Sequence, residues 1–192
     1  MSVLNENTII GASGAGGDYE IEQSLRFDDG RGSYLSRTPS VAGNRKTWTY
    51  SGWVKRGHVG VRQSIFGAAE ATSNNDILEF QANDTIRAYT NGGANVYLIT
   101  DALFRDSSAW YHIIWAVDTT QATASDRAKL YVNGSQITSF ASEVYPSLNT
   151  DSWINGAYEH RVGRGTYLVT SQAIYLDGYL AEVNFIDGQA LT

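Results

Sequence analysis

The feature that most constrains this chain is a repeated alternation of apolar and polar residues, broken by turn-forming residues. From Tyr19 onward, short alternating runs are interrupted by Gly, Asn and Asp about every ten residues. Alternation of period two places apolar side chains on one face of a β-strand. No long run of helical spacing competes with it. We therefore predict an all-β fold, with the turn spacing that sandwiches and jelly rolls require.

Composition supports this class and excludes several functions. Aromatic residues make up 12% of the 192 residues, and 19 Gly accompany only 2 Pro, a mixture typical of strands and tight turns. The net charge of -6 argues against nucleic-acid binding, because no overall positive field attracts phosphates. The absence of Cys excludes disulfides and thiolate metal sites. No apolar run is long enough to insert into a membrane as a helix.

Several strands can be placed from the pattern alone. Thr47 to Lys55 alternates clearly, and Trp110 to Asp118 is so apolar that we expect a central strand. Asn133-Gly134 lies between two alternating runs and suits a two-residue type I′ turn, which predicts a hairpin. Ile174 to Ile186 is expected to be the last strand, with a bend at Asp177-Gly178. After the bend, one face is expected to carry Leu180, Glu182, Asn184 and Ile186, and the other Ala181, Val183 and Phe185. Further strands are predicted at Ser64 to Ala68, Ile77 to Gln81, Thr85 to Tyr89 and Val96 to Thr100.

The N-terminal region differs from the rest of the chain. Gly11 to Gly17 carries no large side chain, so residues 1–17 are expected to be a flexible arm or linker that precedes a domain at 18–192. A phosphate-binding loop would need Gly-Lys-Ser/Thr, and no lysine occurs before Lys46. Asn5, Glu6 and Asn7 interrupt the apolar run that a secretion signal requires, so no signal peptide is visible.

Four segments resemble, in order and spacing, the strands of laminin-G-like domains in the concanavalin A-like superfamily. They are Trp48-Thr-Tyr-Ser-Gly-Trp-Val-Lys55, Trp110-Tyr-His-Ile-Ile-Trp-Ala-Val-Asp118, Lys129-Leu-Tyr-Val-Asn-Gly134 and Asp177-Gly-Tyr-Leu-Ala-Glu-Val-Asn-Phe-Ile186. The resemblance implies a two-sheet antiparallel jelly-roll sandwich used for adhesion or assembly, commonly without catalysis. Function must still be argued from the site, because one fold hosts many functions.

Other segments resemble the version of this domain found in bacteriophage virion proteins, especially those associated with the tail. They are Ser24-Leu-Arg-Phe-Asp28, Tyr34-Leu-Ser-Arg-Thr-Pro39, Gly43 to Lys55 and Phe185-Ile-Asp-Gly-Gln-Ala-Leu-Thr192. The last phrase is usually followed by more chain in such proteins, so we expect a fragment or a shortened relative.

This second resemblance implies a non-catalytic virion module at the particle surface. Its expected partners are other virion proteins, host surface glycan and further copies of itself in a homo-oligomer. Capsid decoration, with the arm inserted between subunits, is an alternative role. Tail and capsid are not separated by the sequence.

A polysaccharide hydrolase is the alternative from the enzyme class. Retaining hydrolysis needs two carboxyl groups about 5 Å apart, which alternate positions on a strand can supply. Asp18-Tyr-Glu-Ile-Glu22 has this alternation and would place Glu20 and Glu22 in the catalytic roles. The run lies beside the glycine-rich arm and departs from the glucanase order of acids, so a solvated acidic edge is the favoured interpretation. No catalytic residues are predicted.

No cofactor and no defined metal site are predicted. His112 lies within a predicted strand and is expected to be a core residue, packed or hydrogen-bonded structurally, whereas His58 and His160 are expected to be exposed. Ca²⁺ is an alternative, since laminin-G-like domains often bind it, but no calcium motif is present. The loop acids available are Asp28, Asp29, Asp101, Asp106 and Asp151.

The loop-rich segment between Ser152 and Tyr167 contains the residue types that bind sugars. Aromatic faces stack on sugar rings, and amides bond to sugar hydroxyls. Trp153, Asn155, Tyr158 and Tyr167 lie outside any clear alternating strand and are the predicted glycan-binding residues. Many of the chain's aromatic residues must fill the core, so coverage of a sheet edge is the competing role for Trp153.

Overall fold

The computed structural model describes residues 21–70, 74–90, 96–166 and 173–192, so the predicted arm at 1–17 lies outside the described residues. The described residues form these strands: β1 (Leu25–Phe27), β2 (Leu35–Arg37), β3 (Thr47–Arg56), β4 (Gln63–Ala69), β5 (Asn75–Phe80), β6 (Ile86–Thr90), β7 (Val96–Thr100), β8 (Tyr111–Asp118), β9 (Ala128–Val132), β10 (Ser135–Gln136), β11 (Phe140–Val144), β12 (Glu159–Val162), β13 (Arg164–Thr166), β14 (Ala173–Tyr175) and β15 (Gly178–Asp187).

The strands form two large antiparallel sheets and one small one. The six-stranded sheet has the order β1-β15-β3-β8-β9-β10, the seven-stranded sheet has the order β11-β7-β6-β5-β4-β12-β2, and β13 pairs with β14. Among the described residues, the helical elements are short 3₁₀ turns at Asp29–Arg31 and Ala124–Asp126. None of the described segments forms a helix able to cross a lipid bilayer. The predicted all-β, two-sheet antiparallel sandwich is confirmed.

Aromatic side chains from both sheets form the core between them. Trp48 in β3 and Trp115 in β8 meet edge to face, with ring centroids 4.8 Å apart. Tyr50 in β3 stacks on Phe66 in β4, 4.7 Å away, and so joins the two sheets. Burying a side chain of this size contributes about 2 to 3 kcal/mol. The predicted central strand is confirmed, because β8 lies between β3 and β9.

The hairpin predicted at Asn133-Gly134 is confirmed. Asn133 and Gly134 have φ angles of 51° and 76°, the two positive values that a type I′ turn requires. Val132 pairs with Ser135 on either side of the turn. Residues 135–136 form only a two-residue strand, so the six-stranded sheet ends there.

The predicted last strand, Ile174 to Ile186, is wrong in its extent, because the structure divides it between two sheets. β14 pairs with β13 in the small sheet, and β15 then begins at Gly178 in the six-stranded sheet. The division occurs where the backbone of Gly178 approaches that of Lys55. Gly178 has a φ of 150°, and a Cβ added there would lie 2.2 Å from the carbonyl oxygen of Lys55. The bend expected at Asp177-Gly178 is therefore a change of sheet.

His112 is placed on the outer face of the six-stranded sheet, so its expected position in the core is wrong. Its neighbours in β8, such as Ile113, point into the core, and the side chain of His112 points the other way. It is half-buried, its Nε2 is 2.9 Å from Ser51 Oγ, and its ring lies 4.8 Å from that of Trp53. The expected structural hydrogen bond is present, and burial lowers the pKa of the imidazole.

A buried ion pair lies at one end of the sandwich. The fully buried guanidinium of Arg56 donates to Asp84 Oδ1 at 3.0 Å and to the Phe104 carbonyl at 2.7 Å. The Phe80 ring lies 4.4 Å from its Cζ. Burial lowers the pKa of Arg56, which the Asp84 carboxylate opposes.

Candidate functional site

Trp153 and Tyr158, two of the predicted sugar-binding residues, lie in the loop that joins β11 to β12. Their rings meet edge to face with centroids 5.2 Å apart. The Arg45 guanidinium carbon lies 5.4 Å from the Trp153 ring and 5.8 Å from the Tyr158 ring. We call these three side chains the aromatic cluster. The contacts between them cover part of each ring and reduce the area left for stacking on a sugar.

The loop that carries the aromatic cluster is held by a buried carboxylate. Asp76 in β5 accepts hydrogen bonds from the backbone N–H of Trp153 at 2.6 Å and of Ile154 at 3.0 Å. Ser152 Oγ accepts from the indole N–H of Trp48 and donates to the Ile154 carbonyl, both at 2.8 Å. The loop is thereby attached to both sheets, and these bonds fix the backbone that carries Trp153 and Asn155.

Asn155 connects this loop to two other chain segments. Its Nδ2 donates to the Asn44 carbonyl at 3.0 Å and to Asp187 Oδ1 at 2.6 Å, and its φ of 65° is in the left-handed region. Gly43 lies against this pair, and a Cβ there would come within 2.5 Å of Asn155 Nδ2 and of Asp187 Oδ2. The amide N–H groups of Asn155 are therefore used inside the protein.

A groove opens beside the contact of Asn155 with Asn44 and Asp187, between the edge strand β2 of the seven-stranded sheet and the end of β15 in the six-stranded sheet. Its volume is about 570 Å³, large enough for one or two sugar rings. The lining residues come from β2, the following loop, β4, the segment around β12 and the end of β15: Leu35, Ser36, Arg37, Pro39, Val41, Ala42, Gly43, Phe66, Asn155, His160, Val162, Phe185 and Asp187. Of the four predicted glycan-binding residues, Asn155 lines this groove, and Tyr167 lies outside the described residues.

A β-bulge in β15 supplies the aromatic floor of the groove. Ala181 pairs with Trp53 and Asn184 with Ser51, so β15 has one residue more than β3 between these pairs. Glu182, within the bulge, has a φ of 48°. An inserted residue reverses which side chains face inward. Phe185 therefore turns into the sandwich, where its ring lies 5.9 Å from that of Phe66.

The bulge also corrects the alternation expected for this segment. The sequence places Leu180, Glu182, Asn184 and Ile186 on one face, opposite Ala181, Val183 and Phe185. In the structure, Leu180 pairs with Val54 and Phe185 pairs with Tyr50, two residues that both face the core. Asp187 shares the face of Phe185 and reaches the groove for the same reason.

His160 lies in the wall of the groove and is half-buried, so its expected exposure is wrong. Its Nε2 accepts from the backbone N–H of Asn155 at 2.8 Å, and its Nδ1 donates to the Tyr158 carbonyl at 2.9 Å. These two bonds require the neutral imidazole with its proton on Nδ1. Burial lowers the pKa of His160, the Arg37 charge lowers it further, and the bond to Tyr158 opposes the shift.

Arg37 is the cation of the groove. It pairs with His160 across β2 and β12, and Leu35 pairs with Val162 in the same register, so these four side chains share one face. Arg37 is exposed, and its guanidinium forms no hydrogen bond or ion pair with any residue in the described ranges. Its donors are therefore free to bind a ligand.

The other residues considered in the sequence, His58, the Glu20–Glu22 pair and the loop acids, are not among the described residues that line the groove. His58 is exposed, as expected. Glu22 is exposed and precedes β1, and Glu20 lies outside the described residues, so the pair proposed for hydrolysis is not described together. The loop acids considered for Ca²⁺ do not converge: within the described ranges, no three His, Asp or Glu side chains are close enough to hold a metal ion.

Sequence reasoning missed most of the groove. Arg37, His160 and Phe185 come from segments far apart in the chain, and they meet only through the order of the strands and the packing of the two sheets. The signal for Arg37 was available, because it occupies an alternating position with Leu35 in a short edge strand. The inward turn of Phe185 had no such signal, since an inserted residue leaves no mark in the residue types.

The fold is similar to that of several solved structures at low sequence identity. Mouse laminin α1 domains LG4-5 match with a TM-score of 0.61 and 14% identity, over 95% of this chain and 46% of that one. The CBM40 of the Ruminococcus gnavus IT-sialidase, bound to α2,3 sialyllactose, matches with a TM-score of 0.55 and 15% identity, over 82% of this chain and 94% of that one.

A third match is domain 4 of AbnA, a GH43 extracellular arabinanase from Geobacillus stearothermophilus, in complex with arabinotriose. Its TM-score is 0.52 and its identity 17%, over 80% of this chain and 65% of that one. No curated protein matches the sequence. The Laminin_G_3 family model, described as the concanavalin A-like lectin/glucanases superfamily, matches residues 29–192, and the chain therefore belongs to that family.

Proposed function

We propose that this chain is a non-catalytic glycan-recognition module whose binding site is the groove between β2, β12 and the end of β15. The observation that carries the proposal is the combination of residues in that groove. Phe185 is 36% exposed and supplies aromatic surface, the buried Phe66 lies behind it, and Arg37 and Asp187 supply a donor and an acceptor group. Sugar sites need this combination of ring surface and polar groups.

The polar end of the groove is prepared for hydroxyl groups. Asp187 Oδ1 accepts from the Asn44 N–H and from Asn155 Nδ2, which holds the carboxylate in one orientation. Its Oδ2 accepts no hydrogen bond from any described residue and can accept one from a ligand. Preorganised groups of this kind reduce the entropy lost on binding.

The groove favours binding over hydrolysis. Among its described lining residues, Asp187 carries the only carboxylate, whereas glycoside hydrolysis ordinarily uses two. Two proteins of similar fold support a glycan ligand, since the Ruminococcus structure holds sialyllactose and the Geobacillus structure holds arabinotriose. These ligands are those of the two other proteins, and glycans are therefore the first ligands to test on this chain.

A variant that fills the groove tests the proposal. Val41 lines the groove and is 75% exposed, so Val41→Trp is expected to occupy the site without disturbing the core. Tyr131→Trp, on the outer face of β9, is the matched control. We expect wild type and the control to bind members of a glycan array that Val41→Trp fails to bind, with equal thermal midpoints for all three proteins.

Two results would contradict this site. Glycan binding that is equal in wild type and Val41→Trp would place the site elsewhere. Binding to none of a broad panel of neutral and acidic glycans, by a folded protein, would reject glycan recognition itself.

For the biological setting, we propose a tail-associated virion protein at the particle surface, with contacts to host glycan and neighbouring virion proteins. The support is the resemblance of Tyr34-Leu-Ser-Arg-Thr-Pro39 and Phe185 to Thr192 to virion proteins. The same two segments contribute Arg37, Phe185 and Asp187 to the groove. Immunogold labelling of particles from the source tests this: gold at the tail supports it, gold over the head supports capsid decoration, and unlabelled particles reject both.

A further inference from the structure

The positive charge of Arg37 is not compensated inside the described part of the protein. Other arginines form ion pairs: Arg26, Arg31, Arg45, Arg56, Arg62, Arg87, Arg105 and Arg161. Arg37 has no carboxylate within ion-pair distance among the described residues, although it lines a groove that also contains Asp187. Its guanidinium therefore keeps its full capacity to bind an anion.

Among the described residues that line the groove, Arg37 is the one cation that can bind an anion. Asp187 accepts hydrogen bonds at Oδ1 from Asn44 and Asn155 and forms no ion pair with Arg37. His160 is neutral and uses both ring nitrogens for bonds to the loop that it supports. A ligand carboxylate in this groove would therefore meet one cation whose donors are free.

We propose that the groove selects acidic sugars, a sialic acid or a uronic acid, whose carboxylate is bound by the Arg37 guanidinium. The inference rests on the proposed glycan-binding function. The planar guanidinium matches a carboxylate with two parallel N–H···O bonds. The net charge of the chain is -6, so it offers no general attraction for anions, and selection for an acid has to come from a local group.

The experiment compares acidic and neutral partners of the same sugar. The probes are α2,3-sialyllactose against lactose, and trigalacturonate against its methyl ester, titrated by calorimetry into wild type, Arg37→Gln and Arg37→Lys. We expect wild type to bind at least one acid about tenfold more tightly than its neutral partner. Arg37→Gln should remove the difference, and Arg37→Lys should keep only part of it, because the ammonium has the charge without the planar fork.

Arg31→Gln is the matched control, since Arg31 is 86% exposed and does not line the groove. It should leave the acid preference unchanged. The sialic and uronic probes separate the two sources of the carboxylate. Equal thermal midpoints for the four proteins will show that the loss in Arg37→Gln is not a loss of folding.

The outcomes separate this inference from the function on which it rests. If wild type binds neutral glycans as tightly as acidic ones, or if Arg37→Gln keeps the preference, the role of Arg37 is overturned and glycan recognition stands. If the folded wild type binds no probe and no member of the glycan array, both are overturned.

Discussion

The buried carboxylate of Asp76 accepts a hydrogen bond from the backbone N–H of Trp153, with a distance of 2.6 Å between Oδ2 and the nitrogen. The same oxygen also accepts from Ile154. One side chain from the middle of the seven-stranded sheet thus fixes the backbone at Trp153 and Ile154, in the loop that also carries Asn155 and Tyr158.

Replacement of this carboxylate should loosen the loop and destabilise the domain. Asp76→Ala removes the acceptor of one buried and one partly buried N–H group, and we expect a loss of about 3 kcal/mol in the free energy of unfolding. Urea denaturation followed by tryptophan fluorescence measures it. Asp151→Ala is the control, because the Asp151 carboxylate is half-exposed and lies 3.8 Å from Arg45. Equal losses in the two variants would contradict the role of Asp76.

The bulge in β15 should show a preference for glycine at position 182. Glu182 has a φ of 48°, a region that β-branched residues adopt only at a cost. We expect Glu182→Val to be about 1 to 2 kcal/mol less stable than Glu182→Gly, since both variants lack the glutamate carboxylate and differ in backbone strain. Thermal unfolding compares them directly. Equal midpoints would show that residue 182 leaves the left-handed region without penalty.

Stability should fall as the pH is lowered from 7 to 5. Histidine in an unfolded chain titrates near pH 6.5, and burial lowers the pKa of both His112 and His160 in the folded protein. Below about pH 6.5 the unfolded chain therefore binds more protons than the folded one, and protonation favours unfolding. The stabilisation that comes from keeping these histidines neutral is therefore full above about pH 6.5. It is lost as the pH falls from there through the lower pKa that the histidines have in the folded protein.

His160→Gln tests the share of one histidine in this pH dependence. The glutamine amide oxygen can accept from the Asn155 N–H and does not titrate. We expect the variant to lose less stability than wild type between pH 7 and 5, while His112 keeps the remainder. Parallel curves for the two proteins, measured by denaturation at each pH, would contradict the assignment to His160.

The buried ion pair at the end of the sandwich predicts a large contrast between two arginines that bind the same carboxylate. Arg56 is fully buried and Arg105 has a side chain that is 62% exposed, yet both contact Asp84. Arg56→Met should cost about 3 to 5 kcal/mol, because Asp84 and the Phe104 carbonyl lose a buried donor. Arg105→Met should cost less than about 1 kcal/mol. Similar losses in denaturation experiments would contradict this difference.

The parts of the fold that the sequence predicted are those fixed by local rules. The apolar face of Trp110 to Asp118 predicted a central strand, and the backbone preference of Asn133-Gly134 predicted a type I′ turn. Glu182 shows where such rules fail, because its bulge reverses the faces of Phe185 and Asp187 without any change in residue type. Local alternation cannot reveal an inserted residue.

The candidate site was predicted only in part, for a different reason. The loop beside the groove does carry Trp153, Asn155 and Tyr158, but of these three only Asn155 lines the groove itself. Arg37 and His160 meet because β2 pairs with β12, and this pairing joins strands more than one hundred residues apart. A pairing of that kind depends on the whole sheet order and has no short sequence signature.

The short strands β1, β2 and β10 have a consequence for contacts between molecules. Each ends a sheet and contains only two or three residues. An edge of that length offers few unpaired backbone groups to a strand from another chain, which is how many β proteins avoid fusing their sheets into fibrils. Copies of this chain at high local density are therefore protected at three of the four borders of the two large sheets against growth of a continuous intermolecular sheet.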